Sequence, residues 1–442
     1  MPSILHLRST DVDTIEKRSK YSVAVVGCGH KGIFYANAFA DAGFKVLCTD
    51  ADASVLMKIS KGKTTFGMVE IEAKLRSHIN SEKISVISEL KKAVSQSDVV
   101  VIAITVKLDE KKKNDYKGLD STCKQVGANL HEGALVLYAG IAGLGYIEGT
   151  VKELLENTSG LKVGCNLGLA YCPILSTSDS VTKSELKVAA TENTSLEAAT
   201  IILKTLTSNI KEISDIKTAE ASILFTVTKK DVEIALTNEL AVFCESLNVD
   251  YFKVMDTLDL KSSIFRPTII EEENKNETYL LLDCAENLNV KLRMPSLARQ
   301  INEDMIKHAV NLTQEALQSC GKTLRRCRVA VLGKVNRTSC IRAFIKMIEQ
   351  KGAKVNIYDP TARKEPVDVG VLKTSLNEAV EGSDCIIVLS EHDQFNRLNL
   401  KKLKALMKTP SAVVDLVGKI DQGQIEKEGF IYFGLGRRFD KK

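Results

Sequence analysis

Residues 21–50 read YSVAVVGCGHKGIFYANAFADAGFKVLCTD, and no other stretch of the chain leaves so few folds open. A short apolar run, SVAVV, has the make-up of a buried strand. Gly27, Gly29 and Gly32 follow in GxGxxG spacing. A helical pattern carrying Ile33, Phe34, Ala36, Phe39 and Ala40 comes next, and then a second strand-like run, FKVLCTD, ends at Asp50. Each glycine has its own task in such a unit. Gly27 makes the tight turn, Gly29 lets backbone approach a pyrophosphate, and Gly32 lets helix and strand pack closely; the phosphates then meet free amides at the positive end of the helix. Cys28, His30 and Lys31 fill the remaining positions of the turn and belong to the expected cofactor-binding set. Asp50 is placed to accept hydrogen bonds from an adenosine ribose, which favours NAD over NADP. GxGxxG alone is a weak signal; inside strand–turn–helix–strand–Asp it is specific.

The alternation continues with DVVVIAIT (98–105), ALVLYAG (134–140) and LKVGCNLGLAYCP (161–173), the pattern of a doubly wound parallel sheet. From about Ser214 to Cys320 helical periodicity takes over and no strand run occurs. CRVAVLGKVN (327–336) then opens a second α/β unit, followed by AKVNIYDP (353–360), SDCIIVLS (383–390) and AVVDLVG (412–418). The expected architecture is α/β: two Rossmann-like domains with doubly wound parallel sheets, joined by a central helical domain with a long helix. The boundaries expected are an N-terminal extension at 1–20, an NAD-binding domain at 21–213, a helical domain at 214–322 and a C-terminal α/β domain at 323–442. A length of 442 residues accords with two or three domains.

Composition narrows the function classes. The net charge of +5 is small for this length, and the densest basic piece, DEKKKND at 109–115, alternates with acids as a solvated loop does. No basic side chains interleave with aromatics, which sets nucleic acid aside. Eleven cysteines occur without CxxC pairs or metal-ligand spacing, and Cys48 and Cys385 sit in apolar runs. Reduced, buried thiols and no metal site are expected. Neither a signal peptide nor an apolar run of membrane-spanning length is visible, so the expectation is a soluble cytoplasmic protein with no membrane partner.

Several strings in order resemble the UDP-glucose/GDP-mannose dehydrogenase family across residues 21–438. AE at 219–220 and NELA at 238–241 keep the family's spacing along one helix. AENLNVKLRMPSLARQINEDM (285–305) is similar to the segment after the family's active-site loop. VAVLG, KGAKVNIYDP, SEHDQF and FGLGR (433–437) follow the family's last domain. The resemblance implies NAD in the first domain, the nucleotide of a UDP- or GDP-sugar in the last, and a homodimer paired through the central helix. It also implies oxidation of the sugar C6 alcohol to a carboxylate with two hydrides passed to NAD, as in polysaccharide biosynthesis. That reaction needs a thiolate to hold the aldehyde, a cation or donor for the alkoxide and a group to activate water.

The chain departs from its relatives at those positions. The family's Gly-Gly-x-Cys-x-Pro-x-Asp motif falls on RPTIIEEENKNETY, with Glu273 in place of the cysteine, Glu277 in place of the aspartate and Tyr279 on an aromatic position. The family's lysine aligns with Ile223 and its asparagine with Val227; Lys229 and Lys230, more than a turn away, read as a solvated face. The family's glutamate falls on Ile174. Its Pro-Thr-Pro loop reads Thr105-Val106-Lys107, and its Ser-Thr-Val turn reads Ala139-Gly140-Ile141. In the last domain Arg342 is retained and counted with the cofactor-binding set, while another arginine lands on Val417. Cys284, the nearest thiol, reads as structural. Three readings follow. The first is a catalytically silent or strongly altered relative that keeps NAD, with or without a nucleotide sugar, and pairs with itself or with an active relative. The second is an oxidoreductase of altered chemistry, for which Glu273, Glu277 and Lys107 are the candidates. The third is a non-catalytic interaction protein.

Overall fold

The structure, a computed structural model, describes residues 3–437 other than 67, 110, 175–184, 259–265, 270–274, 334–338, 361–368, 391 and 397. The chain divides into two compact units, Met1–Val227 with Tyr279–Lys291, and Thr228–Thr278 with Leu292–Lys442.

The first unit carries β1 (Ser22–Val26), β2 (Lys45–Thr49), β3 (Ile84–Val86), β4 (Val99–Ile102), β5 (Lys107–Leu108), β6 (Asn114–Asp115), β7 (Leu135–Tyr138), β8 (Gly168–Tyr171), β9 (Leu186–Ala190) and β10 (Ile210–Glu212). Eight of these form one sheet in the order β10-β9-β8-β7-β4-β1-β2-β3, with β5 and β6 as a separate hairpin. The strands β1, β4, β7 and β8 read as unbroken apolar runs because both faces of a parallel sheet are covered by helices. Every residue of β4, β7 and β8 is buried.

Two details differ from the expectation. The sheet is parallel only as far as β8, because β9 pairs with it antiparallel, Tyr171 opposite Ala189. Of the predicted strand 161–173 only Gly168–Tyr171 forms; ahead of it the chain turns through Gly164 at φ +86°. Residues before β1 also enter this core. Ile4, Leu5, Leu7 and Val12 are buried, and the Ile4 amide donates to the Gly133 carbonyl at 3.0 Å.

In the second unit β11 (Arg328–Leu332), β12 (Lys354–Tyr358), β13 (Val371–Leu372), β14 (Cys385–Val388), β15 (Ala412–Asp415) and β16 (Ile431–Gly434) form an all-parallel sheet in the order β13-β12-β11-β14-β15-β16. Among the described residues from 214 to 322 there is no strand, as the periodicity predicts. The helices there are Ile216–Leu247, Tyr251–Asp256, Lys275–Asn287 and Arg293–Ser319. Asp231 accepts from Arg299 and from the Asn302 amide, both at 2.8 Å, and Asn238 bridges the Asn302 amide oxygen (3.0 Å) and the Thr268 backbone amide (2.8 Å). Arg299, Asn302 and Asn238 are buried, so these polar groups hold the helices in one register by satisfying one another.

Candidate cofactor site at the glycine turn

The glycine turn joins β1 to the helix His30–Ala42. Gly27 has φ +91°, the left-handed region that glycine enters without a Cβ penalty. A Cβ on Gly32 would lie 1.9 Å from the Gly27 carbonyl oxygen, so only glycine allows the helix to pack this closely on the turn. Gly29 is different: a Cβ there would meet nothing within 4 Å. It caps the helix with open space in front of it. At the end of β2, Asp50 accepts from the Cys28 amide at 2.6 Å and the Asp52 amide at 2.9 Å. Each of its oxygens retains lone-pair capacity for a ribose hydroxyl. A turn fixed by two glycines, an open glycine at a helix N-terminus and a tethered acid at the rim fit a dinucleotide.

The other turn residues contribute less directly. Cys28 buries its thiol toward the Thr49 carbonyl (3.3 Å), and a hydrogen bond with Cys48 together with burial pushes it well up from the usual thiol range. Its backbone amide, not its sulfur, serves the turn. His30 packs on Phe66 with ring centres 4.2 Å apart, and the Lys31 side chain is nearly covered. Arg342 belongs to the second unit, exposed on the helix Ser339–Gln350.

Ile174, Ile223 and Val227, the residues to which the resemblance assigns reacting groups, are all buried. On the helix Ile216–Leu247, Ile216, Ala219, Ile223, Leu224 and Val227 form a buried stripe. Ile174 is buried as well. Lys229 is exposed and pairs with Glu233 at 3.5 Å, as a solvated face should. Lys107 is exposed on the hairpin. Glu273 lies outside the described residues. Glu277 is buried on the helix Lys275–Asn287. Cys284 is half-buried and its sulfur accepts from the Leu144 amide at 3.3 Å. Burial and the nearby Asp283 and Glu220 push its pKa up despite that bond, which leaves a thiol at neutral pH and not a nucleophilic thiolate. In the second unit Val417 packs its side chain against the core and lends its amide to Asp415 at 3.0 Å.

One residue escaped the sequence reading as a site. Glu220 is fully buried, and its carboxylate accepts from the Gly145 amide at 2.6 Å and the Ile147 amide at 3.2 Å. Burial outweighs those bonds and raises its pKa to about 7. Its signal in the sequence was a single acid inside an apolar helical stripe.

Fold and turn together define a two-sheet α/β protein built to bind a dinucleotide in its first unit. Three regions match the UDP-glucose/GDP-mannose dehydrogenase family: its NAD binding domain at 21–191, its central domain at 217–304 and its UDP binding domain at 335–422. The chain belongs to that family, and NAD is its cofactor. It is 27% identical over 433 residues to UDP-N-acetyl-D-mannosamine dehydrogenase of Pyrococcus horikoshii, covering 94% of this chain and 99% of the relative. With UDP-glucose 6-dehydrogenase TuaD of Bacillus subtilis it shares 22% identity, over 94% of this chain and 93% of the relative. Among solved structures, the UDP-D-ManNAc dehydrogenase of Pyrococcus horikoshii superimposes with a TM-score of 0.82 at 24% identity, over 94% and 99% of the two chains. No helix among the described residues is long and apolar enough to cross a membrane.

Proposed function

We propose that this chain binds NAD and a UDP- or GDP-linked sugar but does not carry the sugar through to a carboxylate, acting as a catalytically silent or strongly altered member of its family. Within this reading residues 21–213 hold the cofactor, 214–322 pair subunits and 323–442 take the nucleotide of the sugar. The observation that carries it is the burial of Ile223 and Val227, 1% and 8% exposed, where the resemblance calls for an ammonium and an amide. Neither can polarise an oxygen or hold a water. Cys284, kept protonated and engaged by the Leu144 amide, is no substitute for the missing thiolate.

The pairing surface is supported by a stripe on the helix Ile216–Leu247. Leu236, Leu240, Phe243 and Leu247 lie on one face at helical spacing and are 44–57% exposed. A second copy, or an active relative with a matching helix, would cover them.

The test is NAD binding by thermal shift, followed by NADH production with a panel of UDP- and GDP-sugars. Binding without turnover is expected. Uronate formed in stoichiometric amounts with a sugar nucleotide would refute the proposal, and loss of that turnover in Cys284→Ala would identify Cys284 as the nucleophile.

A further inference from the structure

The loop after β7 is held from outside the sheet, by side chains of two helices. The Leu144 amide donates to the Cys284 sulfur on the helix Lys275–Asn287 at 3.3 Å. The Gly145 and Ile147 amides donate to the two carboxylate oxygens of Glu220 on the helix Ile216–Leu247, at 2.6 and 3.2 Å. The same loop leans on the cofactor edge. A Cβ on Gly140 would lie 2.1 Å from the Ile104 carbonyl oxygen, and a Cβ on Gly27 would lie 3.0 Å from Ile104 Cγ1, so Ile104 touches both the loop and the glycine turn. All three segments leave the carboxyl ends of the parallel strands β7, β4 and β1, and the strand order reverses between β4 and β1. Ligands of open α/β sheets bind at such a reversal.

We infer that Glu220 is the positioning residue that holds this loop against the cofactor edge, and that protonating Glu220 loosens the loop and weakens NAD binding. The inference rests on the NAD binding of the proposed function and not on the loss of turnover. The ionised carboxylate accepts from both amides with a charged oxygen on each. In the neutral acid one of those oxygens becomes a hydroxyl, a much poorer acceptor, and the bond to that amide is weakened. The groups facing Glu220 are few. Lys217 lies one turn earlier on its own helix, Glu148 follows the loop, Tyr138 ends β7, Tyr116 stands at the start of the helix Lys117–Gly127, and Cys284 comes from the helix Lys275–Asn287. Lys217 is the cation among them; burial and Glu148 act the other way, and the carboxyl is pushed up to about 7. The loop therefore changes its hold across neutral pH.

Calorimetric titration with NAD from pH 6 to 8.5 tests this. The native protein should bind most tightly at the alkaline end and about tenfold more weakly at pH 6, the size expected from weakening one hydrogen bond to a charged acceptor. Glu220→Gln should bind weakly with a flat profile, whereas a purely structural role would lower affinity equally at every pH. Parallel profiles for the two proteins, or a flat native one, overturn the inference. If the variant does not fold, the native protein still decides: at pH 7, titrations in two buffers of different ionisation enthalpy should show net proton release on NAD binding, and none or uptake overturns it. Failure to bind NAD at any pH refutes the proposed function as well, whereas pH-independent binding refutes this inference alone.

Discussion

The glycines of the turn separate structure from function, and two single substitutions test the separation. In Gly32→Ala the added methyl would sit 1.9 Å from the Gly27 carbonyl oxygen, against a comfortable carbon–oxygen contact of about 3.3 Å. The helix must therefore move off the turn by about 1.4 Å, and the obstacle is backbone tied to Thr49 through the Gly27 amide at 2.9 Å. Overpacking of this kind costs about 3 kcal/mol. At roughly 2–4 °C per kcal/mol, the first unit should melt about 6–12 °C lower. Gly29→Ala meets nothing within 4 Å and keeps an ordinary φ of −69°. It forfeits only a glycine N-cap, about 1 kcal/mol at most, and should melt within about 4 °C of the parent. Its methyl, however, occupies the space a pyrophosphate needs. NAD at a hundred times its Kd should stabilise the parent by about 2.7 kcal/mol, a rise of about 5–10 °C. Gly29→Ala should show no rise at all. Differential scanning fluorimetry with and without NAD reads both effects. A normal NAD shift in Gly29→Ala would refute the placement of the phosphates, and an unchanged melt for Gly32→Ala would refute the close packing.

Two further predictions concern the second unit. Asp231→Ala removes the partner 2.8 Å from Arg299, whose side chain is 3% exposed, and leaves a buried cation whose other acid, Glu303, lies at 3.5 Å. The expected loss is about 3 kcal/mol in denaturant unfolding, and replacing both Arg299 and Asp231 with apolar residues should recover most of it; equal losses in single and double variants would show that the charge is not the cause. Phe243→Glu, on the exposed stripe of the long helix, should lower the oligomeric state seen by light scattering without changing the melting of the isolated subunit. An unchanged mass would remove that face as the pairing surface.

What the sequence disclosed and what it hid follow one rule: a residue is legible when its neighbours in space are also its neighbours in the chain. The glycine turn is a local object. Gly32 packs on the Gly27 carbonyl five residues earlier, and Asp50 reaches the Cys28 amide across one strand–helix–strand unit, so the turn's geometry could be stated in advance. The apolar strands were legible for a related reason, since burial on both faces leaves unbroken hydrophobic runs. The short edge strands β3 and β10, three residues each and partly exposed, left no such mark. Strand β9 reversed the sheet's direction through pairing that no local pattern encodes. Glu220 was illegible as a site because its partners, the Gly145 and Ile147 amides, lie some seventy residues away and are backbone groups that carry no side-chain signature. Family strings such as NELA and ARQINEDM were read as identity before their physical content was known. Arg299 and Asn302 both donate to Asp231, and Asn238 donates to Asn302, so these buried polar groups form one network across two helices. This contrast bears on the proposed loss of turnover. On the proposed reading, Ile174, Ile223 and Val227, where the resemblance places reacting groups, are buried side chains of the core.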